Sequence, residues 1–318
     1  MMKIALQISP EAGGAYFKDY VEIAKLELET VFPGSSPVHR AVGTLDFLVM
    51  DTEEDALVQL MRLSFAQGIY AVHGEHLEPL DVRGDFGLHE DFVFGTKYRG
   101  KTNARLTQML INVGLAAIGN PDPGKVKLLD PMCGRATTLL WAMRYGMASR
   151  GIEHDPKALE DIRRNIKKWT KLHRVKHSLK EGTSGRARRG PQTKYMVFKA
   201  AETDMRVYIG DSRDTQGILK EERFDLIVAD LPYGVQHFTT NKTRNPLKMV
   251  EACLDGWKRS LKDEGALIIS FNNYNPKRDA LLQTFERAGF WIQDFTAPHR
   301  MSESIVRDVA VFKHKVES

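Results

Sequence analysis

Four acidic residues, Asp130, Glu153, Asp211 and Asp230, each stand at the end of a strand-like stretch in the middle of the sequence. Acids at successive strand ends of a parallel sheet would share one edge, which is where open α/β folds hold their ligands. The last of them heads the stretch Asp230-Leu231-Pro232-Tyr233-Gly234. There the carboxylate can accept a hydrogen bond from a planar amine, and Pro232 turns the chain so that the Leu231 carbonyl can point at the same group. Tyr233 offers a flat face for stacking a base, and Gly234 lets the backbone pass close by. A strand end followed by a plain turn, with Asp230 as a cap, is the structural alternative for these residues taken alone.

The run Lys127-Leu128-Leu129-Asp130 leads through Pro131-Met132-Cys133-Gly134 toward a helix, and Gly151-Ile152-Glu153 follows. A second acid about 20 residues beyond a glycine turn is the outline of a ribose-binding βαβ unit. Gly134-Arg135-Ala136-Thr137-Thr138 lacks the glycines that seat a pyrophosphate on a helix N-terminus, which disfavours a dinucleotide. S-adenosylmethionine carries no phosphate and needs no such cradle. It needs an acid and backbone groups near its amino-acid portion, for which Asp130 and Gly134 are placed, and an acid for its ribose hydroxyls, for which Glu153 is placed. Asp211 and Ser212, after the run Met205 to Ile209, can meet an adenine amino group. Cys133 reads as a packing residue, since no base accompanies it.

Between Arg163 and Lys199 the only acid is Glu181. A run this one-sided projects a field suited to a phosphate backbone, and its Gly-Ser-Arg centre, Gly182 to Gly190, can order on one. A solvated basic loop is the alternative. Arg186, Arg188 and Arg189 are the candidate nucleic-acid contacts here. Lys97, Arg99 and Lys101, in the polar approach to a helix over Ala104 to Ala117, are further candidates. The spacing of His73, His76 and His89 matches no helical metal pair, so no metal is expected.

The elements that must position these groups follow from periodicity. Lys3 to Ser9 and Leu45 to Asp51 read as strands, Tyr16 to Phe32 and Glu53 to Gly68 as helices. The β-α-β-α order predicts a small N-terminal α/β domain over residues 1–93. A second domain over 94–318 carries the motifs and a basic insertion near 170–199, and ends in an antiparallel pair, Phe290 to Thr296 and Val306 to Lys313. The 318 residues carry a net charge of +5 and only two cysteines, Cys133 and Cys253, which make no disulfide framework. No run approaches the ~20 apolar residues of a membrane span. A cytoplasmic protein, monomeric by default, is the expectation.

With these motifs in place, residues 94–313 resemble the class I S-adenosylmethionine-dependent methyltransferases. Within that class they are similar to RNA guanine-N2 methyltransferases related to the archaeal tRNA guanine-10 enzyme, of the UPF0020 type. The resemblance implies a Rossmann-like, mostly parallel, seven-stranded α/β sheet with a C-terminal antiparallel hairpin. It implies S-adenosylmethionine as cofactor, with Pro131, Cys133 and His154 joining Asp130, Gly134, Glu153, Asp211 and Ser212 around it. Asp230, Leu231, Pro232 and Tyr233 would be catalytic and tRNA or rRNA the substrate, methylated at a base amine. Where the family runs Gly-Ser-Gly-Thr, this chain has Gly134-Arg135-Ala136-Thr137. The N-terminal part is too short for a full THUMP domain and resembles at most the ferredoxin-like half that precedes one. An N6-adenine methyltransferase acting on DNA or RNA and a catalytically silent RNA-binding protein are the alternatives.

Overall fold

The computed structural model describes residues 1–96, 101–184, 193–231, 246–302 and 305–315. The first 80 residues build an antiparallel sheet from β1 (Met2–Ile8), β2 (Val38–Val42), β3 (Leu45–Thr52), β4 (Ala66–His73) and β5 (His76–Leu80), in the order β2-β3-β1-β4-β5. With the helices Tyr20–Val31 and Leu57–Leu60 between strands, β1 to β4 form the split βαββαβ unit of ferredoxin-like folds. The helix expected over Glu53 to Gly68 shrinks to Leu57–Leu60, preceded by the 3-10 turn Glu54–Ala56. Its last residues, from Ala66, open β4 instead, because Ala66 to Ala71 pair antiparallel with β1 while Leu63 and Phe65 are buried. Ladder pairing with a central strand overrides the local helical pattern.

The remaining strands form one sheet: β6 (Lys127–Asp130), β7 (Ala148–Glu153), β8 (His177–Ser184), β9 (Thr193–Ala200), β10 (Thr203–Ile209), β11 (Phe224–Asp230), β12 (Leu261–Asn272), β13 (Phe290–Gln293), β14 (His299–Ser302) and β15 (Ile305–His314). Their order is β13-β15-β12-β11-β6-β7-β10-β9-β8, with β14 paired to β15. The five strands β12, β11, β6, β7 and β10 are mutually parallel. β15 runs antiparallel between β12 and β13. These seven have the Rossmann-like class I methyltransferase arrangement. Among the described residues the sheet has ten strands rather than seven: the basic segment contributes the antiparallel β8–β9 pair to the edge beyond β10, and β14 pairs with β15 off the main path. Met196, Phe198 and Ala200 of β9 are buried, and that apolar alternation is what a strand against the core requires. No helix among the described residues is long and apolar enough to cross a membrane.

The helix Ala104–Ala117 lies between the two sheets, and every residue from Leu106 to Leu115 is buried. Gly114 lets it close on β11 and β12: a Cβ there would stand 2.8 Å from Ile268 Cδ1 and 3.2 Å from Leu226 Cδ2. Its polar residues are met largely by the N-terminal part, with the Tyr145 hydroxyl donating to Asn112 Oδ1 at 2.6 Å. Asn112 Nδ2 donates to Glu27 Oε1 at 2.6 Å and to the Arg62 carbonyl at 2.9 Å, and Gln108 Nε2 donates to the same carbonyl at 2.8 Å. Arg105 donates to the Ser64 carbonyl, Ser9 Oγ and Glu11. Glu27 is fully buried, and burial pushes its pKa up against the hydrogen bonds it accepts from Asn112 and Ser64.

Glu27→Ala leaves the Ser64 N–H and hydroxyl and the Asn112 amide without their buried acceptor. It is expected to cost at least about 2 kcal/mol, read from the urea midpoint. A loss below about 0.5 kcal/mol, the range of an ordinary surface change, would remove the network from the contacts that join the two sheets.

Candidate active site

Asp130 closes β6, Glu153 closes β7 and Asp230 closes β11, and Asp211 stands two residues beyond β10. Because these strands are parallel neighbours, all four acids gather on the sheet's C-terminal edge. Leu128 and Val228, two residues before Asp130 and Asp230, pack in the core that holds the helix Ala104–Ala117. Strand alternation therefore turns both acids toward that helix.

Asp130 is 3% exposed. Its Oδ1 accepts the Met132 N–H at 3.0 Å, and its charged neighbours, Asp230 and Glu153, are both acidic. Burial, reinforced by those two carboxylates, pushes its pKa up to about 7 against the hydrogen bonds from Thr138 and Met132. A buried carboxylate in acidic company is a site for a cation.

Glu153 holds the loop after β6. Its Oε2 accepts the Gly134 N–H at 2.8 Å and its Oε1 the Asp155 N–H at 2.7 Å, while the Cys133 N–H donates to the Ile152 carbonyl at 3.0 Å. The close approach depends on Gly151, where a Cβ would lie 2.7 Å from Cys133 Sγ and 2.8 Å from its Cβ. Ala136, buried at the start of the helix Thr137–Arg144, has φ +64°, the left-handed region where the family's glycine is at ease. Pro131 and Cys133 are buried under this loop, and burial raises the Cys133 thiol well above its ordinary value. Arg135 is held sideways by Asp155 and Asp161. His154 is exposed. Asp211 accepts the Arg213 N–H at 2.9 Å and pairs with the Arg213 guanidinium, which draws its pKa down, and Ser212 Oγ accepts from Trp257 Nε1 at 3.1 Å.

Asp230 has a different environment. Arg307, 2% exposed on β15, brings Nη1 to 3.1 Å from Oδ1 and donates from Nη2 to Oδ2 at 3.3 Å. Thr102 Oγ1 donates to the same Oδ2 at 2.9 Å. The Nη1 contact is an ion pair without hydrogen-bond alignment, so Oδ1 remains a buried acceptor with no donor among the described residues. The Leu231 side chain is core, and its N–H donates to the Ser270 carbonyl at 2.8 Å. Arg307, Thr102 and Ser270, whose Oγ accepts from Arg307 at 3.4 Å, are residues that sequence reasoning missed. The one available signal was an arginine, with Asp308 beside it, breaking the apolar pattern of the Ile305–His314 strand.

Several expected contacts lie elsewhere. Lys101 is turned inward, donating to the carbonyls of Val93 and Thr96, and burial lowers its pKa to about 8. Trp169, inside the basic run, is buried and donates to Thr96 and Asn165. Pro232, Tyr233 and Gly234, Lys97 and Arg99, and Arg186, Arg188 and Arg189 fall outside the described residues. His89 and His173 come together beside Asp91, with ring centroids 3.7 Å apart and planes 19° from parallel. Stacked rings cannot both direct an in-plane lone pair at one ion, so this trio is ill-suited to a metal.

Residues 97–288 match the family model described as UPF0020: RMKL-like, methyltransferase domain. None of the curated proteins matches the sequence. Among solved structures, TrmN from Thermus thermophilus is similar at 16% identity and TM-score 0.45, over 89% of this chain, which spans only 60% of the TrmN chain. A methyltransferase from Pyrococcus furiosus is similar at 15% identity and TM-score 0.42, over 70% of this chain and 91% of that one. Human methyltransferase-like protein 13, in complex with SAH, is similar at 17% identity and TM-score 0.41, over 67% and 83%.

Two substitutions probe the loop. Gly151→Ala forces Cys133 and Leu139 aside and is expected to lower stability by about 1–3 kcal/mol. Ala136→Gly relieves a left-handed alanine and should raise stability by up to about 1 kcal/mol. Thermal melts of both read the result, and the reverse order of stabilities would contradict the geometry of the loop.

Proposed function

The chain belongs to the UPF0020 family, the RMKL-like methyltransferase domain, and on that premise we propose that it methylates the exocyclic amine of a nucleobase in RNA. Guanine N2 of tRNA or rRNA is the target we favour. The observation that carries the reading is the pair of strand-end carboxylates with opposite surroundings: Asp130 buried among acids, Asp230 matched by Arg307.

S-adenosylmethionine supplies, when bound, a methyl group activated on a sulfonium. The residues present suit it. Asp130 would take its ammonium, which is the cation this acidic pocket lacks. The Glu153 oxygens, already fixed by two backbone N–H groups, retain lone pairs for ribose hydroxyls, and Asp211 and Ser212 would meet its adenine amine. Pro131, Cys133 and His154 would flank this group.

On the substrate side, Asp230 is the group that acts. An exocyclic amine is a poor nucleophile because its lone pair is delocalised into the ring. Donating an N–H to Asp230 Oδ1, and a second to the Leu231 carbonyl, favours the form in which that lone pair is available. The nitrogen must also lose a proton as it gains the methyl group, and Asp230 is the base placed to receive it. Arg307 and Thr102 position the carboxylate, so its direction is set before the base arrives. Pro232 and Tyr233 would complete the floor and the stacking face. Arg186, Arg188 and Arg189, with Lys97 and Arg99, would hold the phosphate backbone. Residues 1–93 would act as an accessory unit to the transferase unit 94–318.

Mass spectrometry of modified nucleosides from a strain lacking the protein tests the reading. Loss of N2-methylguanine, restored by the wild-type chain and not by Asp230→Ala, is expected. Loss of N6-methyladenine instead would reject the guanine assignment, and no change in any methylated base would reject the enzyme.

Cofactor binding should follow Asp130. Its folded pKa of about 7 lies above the 3.8 of a free aspartate, so below about pH 7 the carboxyl is neutral and binding an ammonium must first expel its proton. Affinity measured by calorimetry should fall up to about tenfold per pH unit below 7 and level off above it. The same shift makes the cofactor-free fold bind more protons than the unfolded chain between pH 4 and 7, so its stability declines across that window as pH rises. Asp130→Asn should flatten both profiles; a pH dependence that survives it would place the titrating group elsewhere.

Neutralising Arg186, Arg188 and Arg189 together should weaken RNA binding and reduce the slope of log affinity against log salt. An unchanged slope would return the segment to a solvated loop.

A further inference from the structure

Beyond the Asp230 site, the same edge of the sheet carries a second concavity. A cleft of about 330 Å³ is lined by Asn273, Tyr274, Lys277, Arg278, Asp279 and Val306. It lies beyond the end of β12, the parallel neighbour of β11 in which Ser270 pairs with Asp230. Along β15 it is one residue from the catalytic pair: Arg307 reaches Asp230, while Val306, on the opposite strand face, forms the cleft wall. A chain laid across the edge at Asp230 therefore passes this opening.

The walls are fixed from within. The Asn273 N–H donates to the Val306 carbonyl at 2.7 Å, and its Oδ1 accepts the Arg278 N–H at 3.1 Å. The Arg278 guanidinium is held by Asp308 at 2.8 Å and by the carbonyls of Val309 and Phe295, so it braces the cleft and does not reach for a ligand. Pro276 is buried beneath the loop. The groups left to face a ligand are the Tyr274 ring, 47% exposed, the Lys277 ammonium 5.6 Å from the centre of that ring, the Asp279 carboxylate and the Asn273 amide.

A lone exposed tyrosine is ordinary. A tyrosine on a braced cleft of small-ligand size, with a cation beside its face and an acid on the rim, is a set with one matching chemistry. The ring stacks a base, the ammonium meets the adjoining phosphate, and the carboxylate and amide accept and donate at the base edge. We propose that this cleft is a subsite for an unpaired nucleobase flanking the one that is methylated. The assignment rests on the RNA methyltransferase reading above and deepens it by naming a contact that selects single-stranded sequence around the target.

The test is fluorescence anisotropy of the full chain with a short unstructured purine RNA and with an abasic oligonucleotide of the same length. Tyr274→Ala should weaken binding of the purine RNA by roughly 5- to 100-fold, the scale of one base–aromatic stack, and leave abasic binding unchanged. Tyr274→Phe should bind as the wild type does. The melting temperature and the S-adenosylmethionine affinity of both variants should match the wild type, since the ring is half exposed. Equal purine-RNA affinity for Tyr274→Ala and wild type would overturn the subsite while leaving the function intact. An equal loss for both oligonucleotides would overturn it too, by making the residue's effect independent of a base. Failure of the wild type to bind either RNA would instead remove the RNA reading, and this subsite with it.

Discussion

The burial of the helix Ala104–Ala117 on every side is the constraint from which the rest of the structure follows. A helix between two sheets must be apolar all round or have its polar groups met by both neighbours. Here Arg105, Gln108 and Asn112 are met by Ser9, Ser64, Arg62 and Glu27, all from the N-terminal part. Separating the two sheets would take those partners away, leaving Asn112 with the Tyr145 hydroxyl alone among the described contacts of its side chain. The same helix opens at Asn103, whose side chain accepts the Arg105 and Leu106 N–H groups, and one residue earlier Thr102 donates to Asp230. The contact that ties the N-terminal sheet down thus also fixes one hydrogen bond at the site.

At the other end of that relation, one sheet edge supports two carboxylates in contrasting environments. Asp130 is surrounded by acids and turned protein, and Asp230 by a guanidinium and a hydroxyl. Contrast of this kind divides labour between similar groups: one is left to attract a cation, the other is oriented to accept from a donor. The strand order accounts for it. β6 is flanked by the parallel strands β11 and β7, which bring only Asp230 and Glu153, whereas β11 lies two strands from β15 and within reach of Arg307.

Much of this was legible in residue order. The apolar runs ending in Asp130 and Asp230 became β6 and β11, because a run buried on both faces has few alternatives to a central parallel strand. The glycine turn before Thr137 opened the helix Thr137–Arg144, though with Ala136 and Gly134 both at positive φ. The failures were segments whose local pattern was ambiguous. Leu57 to Gly68 carries apolar residues compatible with either period, and its end from Ala66 on is a strand because it pairs with β1, more than 50 residues away. The stretch from His177 to Ala200 reads as a charge run, and only its alternate buried residues, placed against β10, reveal a strand pair.

The sequence by itself determined the chemistry on offer: which acids stand at strand ends, that the loop after Asp130 cannot cradle a pyrophosphate, and that a planar amine suits Asp230-Leu231. Those are properties of residue type and short-range order. Only the tertiary structure decided how each group is held. Arg307 is 77 residues from Asp230 and Thr102 is 128 residues from it, and no local pattern encodes contacts at that separation. Lys101 showed the converse, a basic residue in a polar stretch whose ammonium the fold turned inward to two carbonyls. Charge is legible in sequence because it belongs to the side chain; direction and partnership belong to the packing of elements that meet only when the chain has folded.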